Sequence, residues 1–184
     1  MKIFIKILLT TTFLGGIYWV SDRAYSKTTS VRDTPAYIYY VNEVENEFVK
    51  EAVNKYGLMC YFSGGAMPYD VERVSIGFIK HAPYNLEETR TLLVTLVREY
   101  QKKINQHEKL RPFLREYPFP AERVGVSLAF RDENSKNYKD SIGLALNCSK
   151  GIFYEVNDEK TDRYVNIKKE TFEEAEQLVT KKPN

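Results

Sequence analysis

Cys60 is the residue whose type and setting come nearest to covalent chemistry. It precedes Ser63-Gly64-Gly65, whose backbone amides could stabilise an oxyanion, and the chain carries two histidines, His81 and His107, either of which could act as its base. Cysteine catalysis needs a thiolate beside an imidazole that a third polar group holds in place. Met59 and Tyr61 flank Cys60 instead of a Gly-Cys, Asp-Cys or helix-start signature. A thiol-dependent hydrolase or transferase using Cys60 with His81 or His107 is therefore the alternative reading. The leading one is a binding or interaction module without catalysis.

The other candidate groups point to structure. Cys60 and Cys148 form an even pair, and a disulfide between them is open if their Cα atoms come within about 7 Å. Each also falls on the apolar side of a strand pattern, Cys60 with Leu58 and Phe62, Cys148 with Leu144 and Leu146, so buried free thiols are the leading expectation. His81 and His107 lack the spacing of a helical metal pair, and Gly64-Gly65 lacks the Lys-Ser/Thr of a phosphate loop; neither metal nor cofactor is expected. Tyr37, Tyr39 and Tyr40 could form an aromatic recognition platform, with alternation placing Tyr37 and Tyr39 on one face and Tyr40 on the other.

The elements that must position these residues follow from periodicity. Asn85 with Glu88 is a capping-box signature, and Leu93, Leu96, Val97, Tyr100 and Ile104 then recur at helical spacing. Arg90, Arg98, Glu99, Lys102 and Lys103 fall off that stripe and read as solvated. A second, shorter helix is expected around Pro112, with Leu110, Phe113, Leu114 and Tyr117 on one face, closed by Pro118 and Pro120. Upstream, Ala36–Val41 reads as a strand and Asn42–Tyr56 as a helix capped by Asn42 and Glu45, with Gly57 past its end. Leu58–Phe62 and Val74–His81 read as strands joined by a long hairpin loop, the first ended by Ser63–Ala66.

Downstream of Pro120 the character is β. Val124–Phe130 alternates, as do Ile142, Leu144, Leu146 and Cys148, and tight turns lead into Ile152–Val156 and Arg163–Ile167. A last helix spans Thr171–Thr180. Strands joined by short turns with helices elsewhere give an α+β class: an antiparallel meander from about 124 to 167, packed against the central helix pair, plus the C-terminal helix. A pocket between helices and sheet is the default place for a ligand.

Of the 184 residues, 43% are hydrophobic and 28% charged, enough for a core and too apolar for global disorder. The 14 tyrosines and 10 phenylalanines suit partly buried or recognition positions. Residues 1–26 have a basic start at Lys2 and Lys6, an apolar run over Ile7–Val20 and small residues at Ala24 and Ser26. This is the layout of a signal peptide cleaved after Ser26; an uncleaved single-pass anchor with the domain outside the cytoplasm is the alternative. Residues 27–35 then read as a linker and 36–181 as one domain. The first segment holds Lys2, Lys6 and Arg23 against Asp22; taken from 27 basic and 25 acidic residues, that leaves 24 of each. A neutral remainder with interleaved charges argues against a nucleic-acid partner. The partner classes left are a protein, a peptide or a small molecule, with membrane contact only through residues 1–26.

Ile104-Asn105, Leu110-Arg111-Pro112-Phe113-Leu114 and Tyr117-Pro118-Phe119 together resemble a phrase in a family of uncharacterised exported bacterial proteins, including host-associated ones. The likeness covers about residues 87–130. It implies an exported, periplasmic or secreted envelope protein of α+β fold, carries over no catalytic residue, and suggests that the Tyr-Pro-Phe junction is structural.

Overall fold

In the computed structural model, residues 34–181 are described, and they belong to one unit that begins at Thr34. The expected signal peptide or anchor and most of the linker lie outside them. Among the described residues, no helix is long and apolar enough to cross a membrane.

The chain runs α1 (Ala36–Tyr56), β1 (Leu58–Ala66), β2 (Arg73–Lys80), α2 (Leu86–Gln106), β3 (Val124–Phe130), β4 (Leu144–Cys148), β5 (Gly151–Asp158), β6 (Arg163–Glu170) and α3 (Phe172–Thr180). The six strands form one sheet in sequence order. β2 and β3 pair in parallel, with α2 as their crossover, and every other neighbour is antiparallel. The α+β class and the meander from β3 to β6 stand, and the upstream hairpin joins the same sheet.

Among the described residues, helices occupy one face only. Val74, Ile76 and Phe78 of β2, Val124, Val126, Leu128 and Phe130 of β3, and Ala145, Ile152 and Tyr154 of β4 and β5 are buried against them. Phe48 of α1 stacks on Tyr100 of α2 at 4.6 Å between ring centroids and meets Phe78 edge-on at 6.0 Å. These rings fill the space that the sequence offers as a ligand pocket.

Three local expectations are corrected. Ala36–Val41 is helical: Tyr37, Val41, Val44, Phe48 and Ala52 continue one apolar stripe, and packing on that stripe overrides the β propensity of the tyrosines. Pro35 starts this helix, so Asn42 is no cap and Glu45 is a buried residue of the helix face. β1 runs on through Ser63–Ala66, paired residue by residue with β2. The second helix of the central pair shrinks to a 3₁₀ turn at Arg111–Phe113, because Val71 captures the backbone on both sides of Leu114 through Phe113 O and the Arg115 amide. The helices packed as a pair on the sheet are α1 and α2.

The caps behave as local chemistry dictates. Asn85 and Glu88 complete a reciprocal capping box, as do Thr171 and Glu174. Gly57, at φ 59°, takes the left-handed conformation that ends α1. Arg90 is not solvated: it is buried in an ion pair with Glu170.

Candidate functional site

Cys60 is carried by β1 opposite Phe78, on the helix-covered face. Its Sγ donates weakly to Phe62 O at 3.5 Å. Burial, and then the carboxylate of Glu45, push the Cys60 thiol pKa up. Glu45 itself is raised by burial, opposed by a hydrogen bond with Ser63. The upward shift of Cys60 favours the neutral thiol, which is the poorer nucleophile.

The two histidines are engaged elsewhere. His81 Nδ1 lies 3.1 Å and 3.2 Å from the carbonyls of Arg131 and Asp132, so that nitrogen carries the proton and donates. His107 Nδ1 accepts from the Leu110 amide, its Nε2 lies 3.5 Å from Glu43, and its ring sits 5.7 Å from that of Tyr40. Neither is placed on Cys60. No group of three or more His, Cys, Asp or Glu able to hold a metal ion lies among the described residues.

Both cysteines are free. The strand registers explain why: Ala145 and Asn147 of β4 face the helices, so Leu144, Leu146 and Cys148 take the opposite face from Cys60. The expected alternation of β4 is inverted. Asn147 occupies a core position because its Nδ2 donates to Ala121 O and Val124 O, holding the start of β3.

The three tyrosines form no platform. In a helix Tyr37 and Tyr40 share a side, where their rings meet Phe113 at 5.6 and 6.3 Å, and Tyr37 OH donates to Met67 O. Tyr39 projects away, 60% exposed.

Recognition chemistry gathers instead on the face of the sheet that no helix among the described residues covers. Met59, Tyr61 and Phe62 of β1 stand there at 48%, 48% and 41% exposure, against half-buried Leu144, Leu146, Cys148 and Phe153. Between these two walls, β2 and β3 present Ser75, Gly77, Gly125, Ser127 and Ala129, with Arg73 at one end and Ile79 at the other. The smallness is required at Gly77, where a Cβ would stand 2.3 Å from the Phe62 ring and 2.6 Å from that of Tyr61. Tyr61 reaches over this floor and shares a 2.9 Å hydrogen bond with Ser127 Oγ. Beyond it a groove of about 300 Å³ is lined by Phe62, Arg73, Ser75, Gly125, Leu146 and Cys148, among others.

A larger cleft of about 530 Å³ lies beside the start of α2, between Tyr56, Tyr84, Glu87 and Thr95. Its Glu88 is committed to the Asn85 cap, and Tyr56 OH donates to Glu99 at 2.8 Å. The open face offers the more coherent chemistry: aromatic and aliphatic walls, a floor of mostly small residues and a cation, Arg73, at the end of the groove. The sequence concealed this site, because its two walls come from hairpins separated by α2. The bulge between Cys60 and Phe62, which turns Tyr61 and Phe62 to the same side, has no signature in the pattern.

The chain matches no family model, no curated protein and no solved structure.

Proposed function

We propose that the protein is an extracytoplasmic binding module without catalysis, and that its binding surface is the open face of the sheet. The carrying observation is the placement of Tyr61 and Phe62 side by side, rings 5.2 Å apart, over glycine on a face that no element among the described residues covers. Large apolar groups are usually buried, and a contiguous exposed set of them on rigid strands suits a partner or ligand. The reading of a thiol-dependent enzyme draws no support from Cys60, whose surroundings raise its pKa and whose neighbours are Glu45 and the Phe62 carbonyl. The proposal places the domain outside the cytoplasm on the layout of residues 1–26, with the periplasm or the medium as its compartment.

Amide chemical-shift mapping against a library of small apolar and amphiphilic fragments tests the binding face. Shifts clustered on Tyr61, Phe62, Gly77, Gly125 and Leu146 are the expected result. Hits confined to the α2 cleft, or a turnover activity that Cys60→Ser abolishes, would overturn the reading. Intact mass of the protein from its native host tests export: a chain starting at Lys27 is expected, and a cytosolic chain retaining Met1 refutes it.

A further inference from the structure

The groove on the open face has a polarity that narrows its ligand, an inference that rests on the binding-module reading. Its walls are Phe62 on one side and Leu146 with Cys148 on the other. At its end stands Arg73. The ion-paired arginines, Arg90, Arg98, Arg115 and Arg123, each meet a carboxylate, whereas the Arg73 side chain has no hydrogen bond or ion pair among the described residues. Ser75, the next residue but one to the bulged aromatic wall's partner Gly77, adds a hydroxyl without a side-chain partner on the same face. Lys169 lies farther along this face, its Nζ 5.1 Å from the centre of the Phe153 ring, and Phe153 pairs with Leu146. The strand residue of this face that carries a negative charge, Glu155, pairs with Leu144, away from Arg73. One end is therefore cationic and the body apolar.

The floor decides against a peptide. β2 and β3 are inner strands, hydrogen-bonded to neighbours on both sides, so their backbone amides and carbonyls are used within the sheet. A peptide laid on that face would leave its own backbone groups without partners, a cost of about 1–3 kcal/mol for each buried one. An unbranched hydrocarbon has no such groups. At the roughly 30 Å³ that liquid water gives each molecule, 300 Å³ holds about ten heavy atoms.

We infer that the groove binds a single-chain amphiphile of medium length with an anionic head, its carboxylate on Arg73 and Ser75 and its chain between Phe62, Leu146 and Cys148. Arg73 supplies a forked donor that matches a carboxylate, and the partly exposed apolar walls lose water when the chain covers them. The ligand is a free monomer whose chain lies along the groove between its two walls.

Decanoate, decanol and decylammonium, each below its aggregation threshold, are titrated at neutral pH with shifts followed at Phe62, Ser75, Gly125 and Cys148. Decanoate is expected to bind at least tenfold more tightly than decanol, and decylammonium weakest. Arg73→Gln should lose that preference at least tenfold while keeping the wild-type amide spectrum elsewhere, because Arg73 holds no internal partner. Arg73→Glu should reverse the order and select decylammonium. Equal binding of decanoate and decanol, or an unchanged order in Arg73→Glu, overturns the inference. Retention on vesicles containing anionic lipid, with no response to monomeric decanoate, overturns it in favour of a membrane surface. If other fragments shift the open face while decanoate does not, this inference falls and the binding-module reading survives; if nothing shifts that face, both fall.

Discussion

The Arg90 guanidinium of α2 grips the carboxylate of Glu170, the last residue of β6, at two points: Nε to Oε1 at 2.7 Å and Nη2 to Oε2 at 3.2 Å. Tyr154 OH donates to the same Oε1 at 2.7 Å, and the Arg90 guanidinium lies 5.7 Å from the centre of its ring. All three side chains are buried, and Glu170 comes one residue before Thr171, the cap of α3. The contact ties the central helix to the strand edge and to the start of the last helix.

Removing one partner strands a charge in the core. Arg90→Met is expected to cost about 3–5 kcal/mol, read from the midpoint of urea unfolding. The triple change Arg90→Met, Glu170→Leu, Tyr154→Phe removes every polar member together and is expected to recover most of that loss. A triple variant no more stable than Arg90→Met alone would mean that packing, not charge, sets the cost.

Phe119 is fully buried, and its backbone is held by two side chains of α2: Asn105 accepts from its amide at 2.7 Å and donates to its carbonyl at 3.1 Å, while Gln101 donates to that carbonyl at 2.8 Å. Phe119→Ala should cost about 3–5 kcal/mol. For a domain of this size that lowers Tm by roughly 6–20 °C. Asn105→Ala leaves a buried amide and carbonyl short of partners and should cost about 1–3 kcal/mol. Calorimetry of both variants checks the pair.

Glu45 gives the protein a pH signature. Burial raises its folded pKa above the ordinary value near 4.5, so folding favours the protonated form. That stabilising contribution is complete below the unfolded value and is lost as pH rises through the folded one. Glu45→Gln should therefore gain stability relative to wild type as pH rises from about 4.5 toward neutrality, and show no such gain below it. Paired unfolding curves across that range measure the difference; a gap that does not change with pH would refute it.

Glu45 also sets the reactivity of Cys60. Its charge is the second cause, after burial, of the raised thiol pKa, so Glu45→Gln should speed alkylation of Cys60 by iodoacetamide near pH 8. Wild-type protein should lose two protons' mass to neither oxidation nor pairing: its intact mass is expected to be the same with and without reductant, and unfolding should release two titratable thiols. A two-dalton shift on reduction would show a bridge.

Local signals were legible and distant ones were not. The Asn85 and Gly57 boundaries of the helices and the meander each follow from residues within one turn or in neighbouring strands. The start of α1 was hidden because Tyr37, Tyr39 and Tyr40 carry strong β propensity, and only the apolar stripe that joins Tyr37 to Phe48 reveals the helix. Arg90 looked solvated because its partner stands 80 residues away. In β4, Leu146 and Cys148 looked like core while Asn147 looked like surface; the carbonyls of Ala121 and Val124 that satisfy Asn147 reverse the assignment. The groove was invisible for the same reason, since Phe62, Arg73, Gly125 and Cys148 meet only when β2 pairs with β3.

That parallel pairing has a kinetic consequence. The hairpin of β1 with β2 and the meander from β3 to β6 are joined by short-range contacts, but β2 can meet β3 only after α2 has closed the chain between them. Loop-closure entropy therefore weighs on this seam more than on the hairpin or the meander beside it. Because the seam is also the floor of the groove, an occupant that spans it would act as a clamp, slowing exchange of the amides of Ile76, Gly77, Val126 and Ser127 ahead of those in the outer strands.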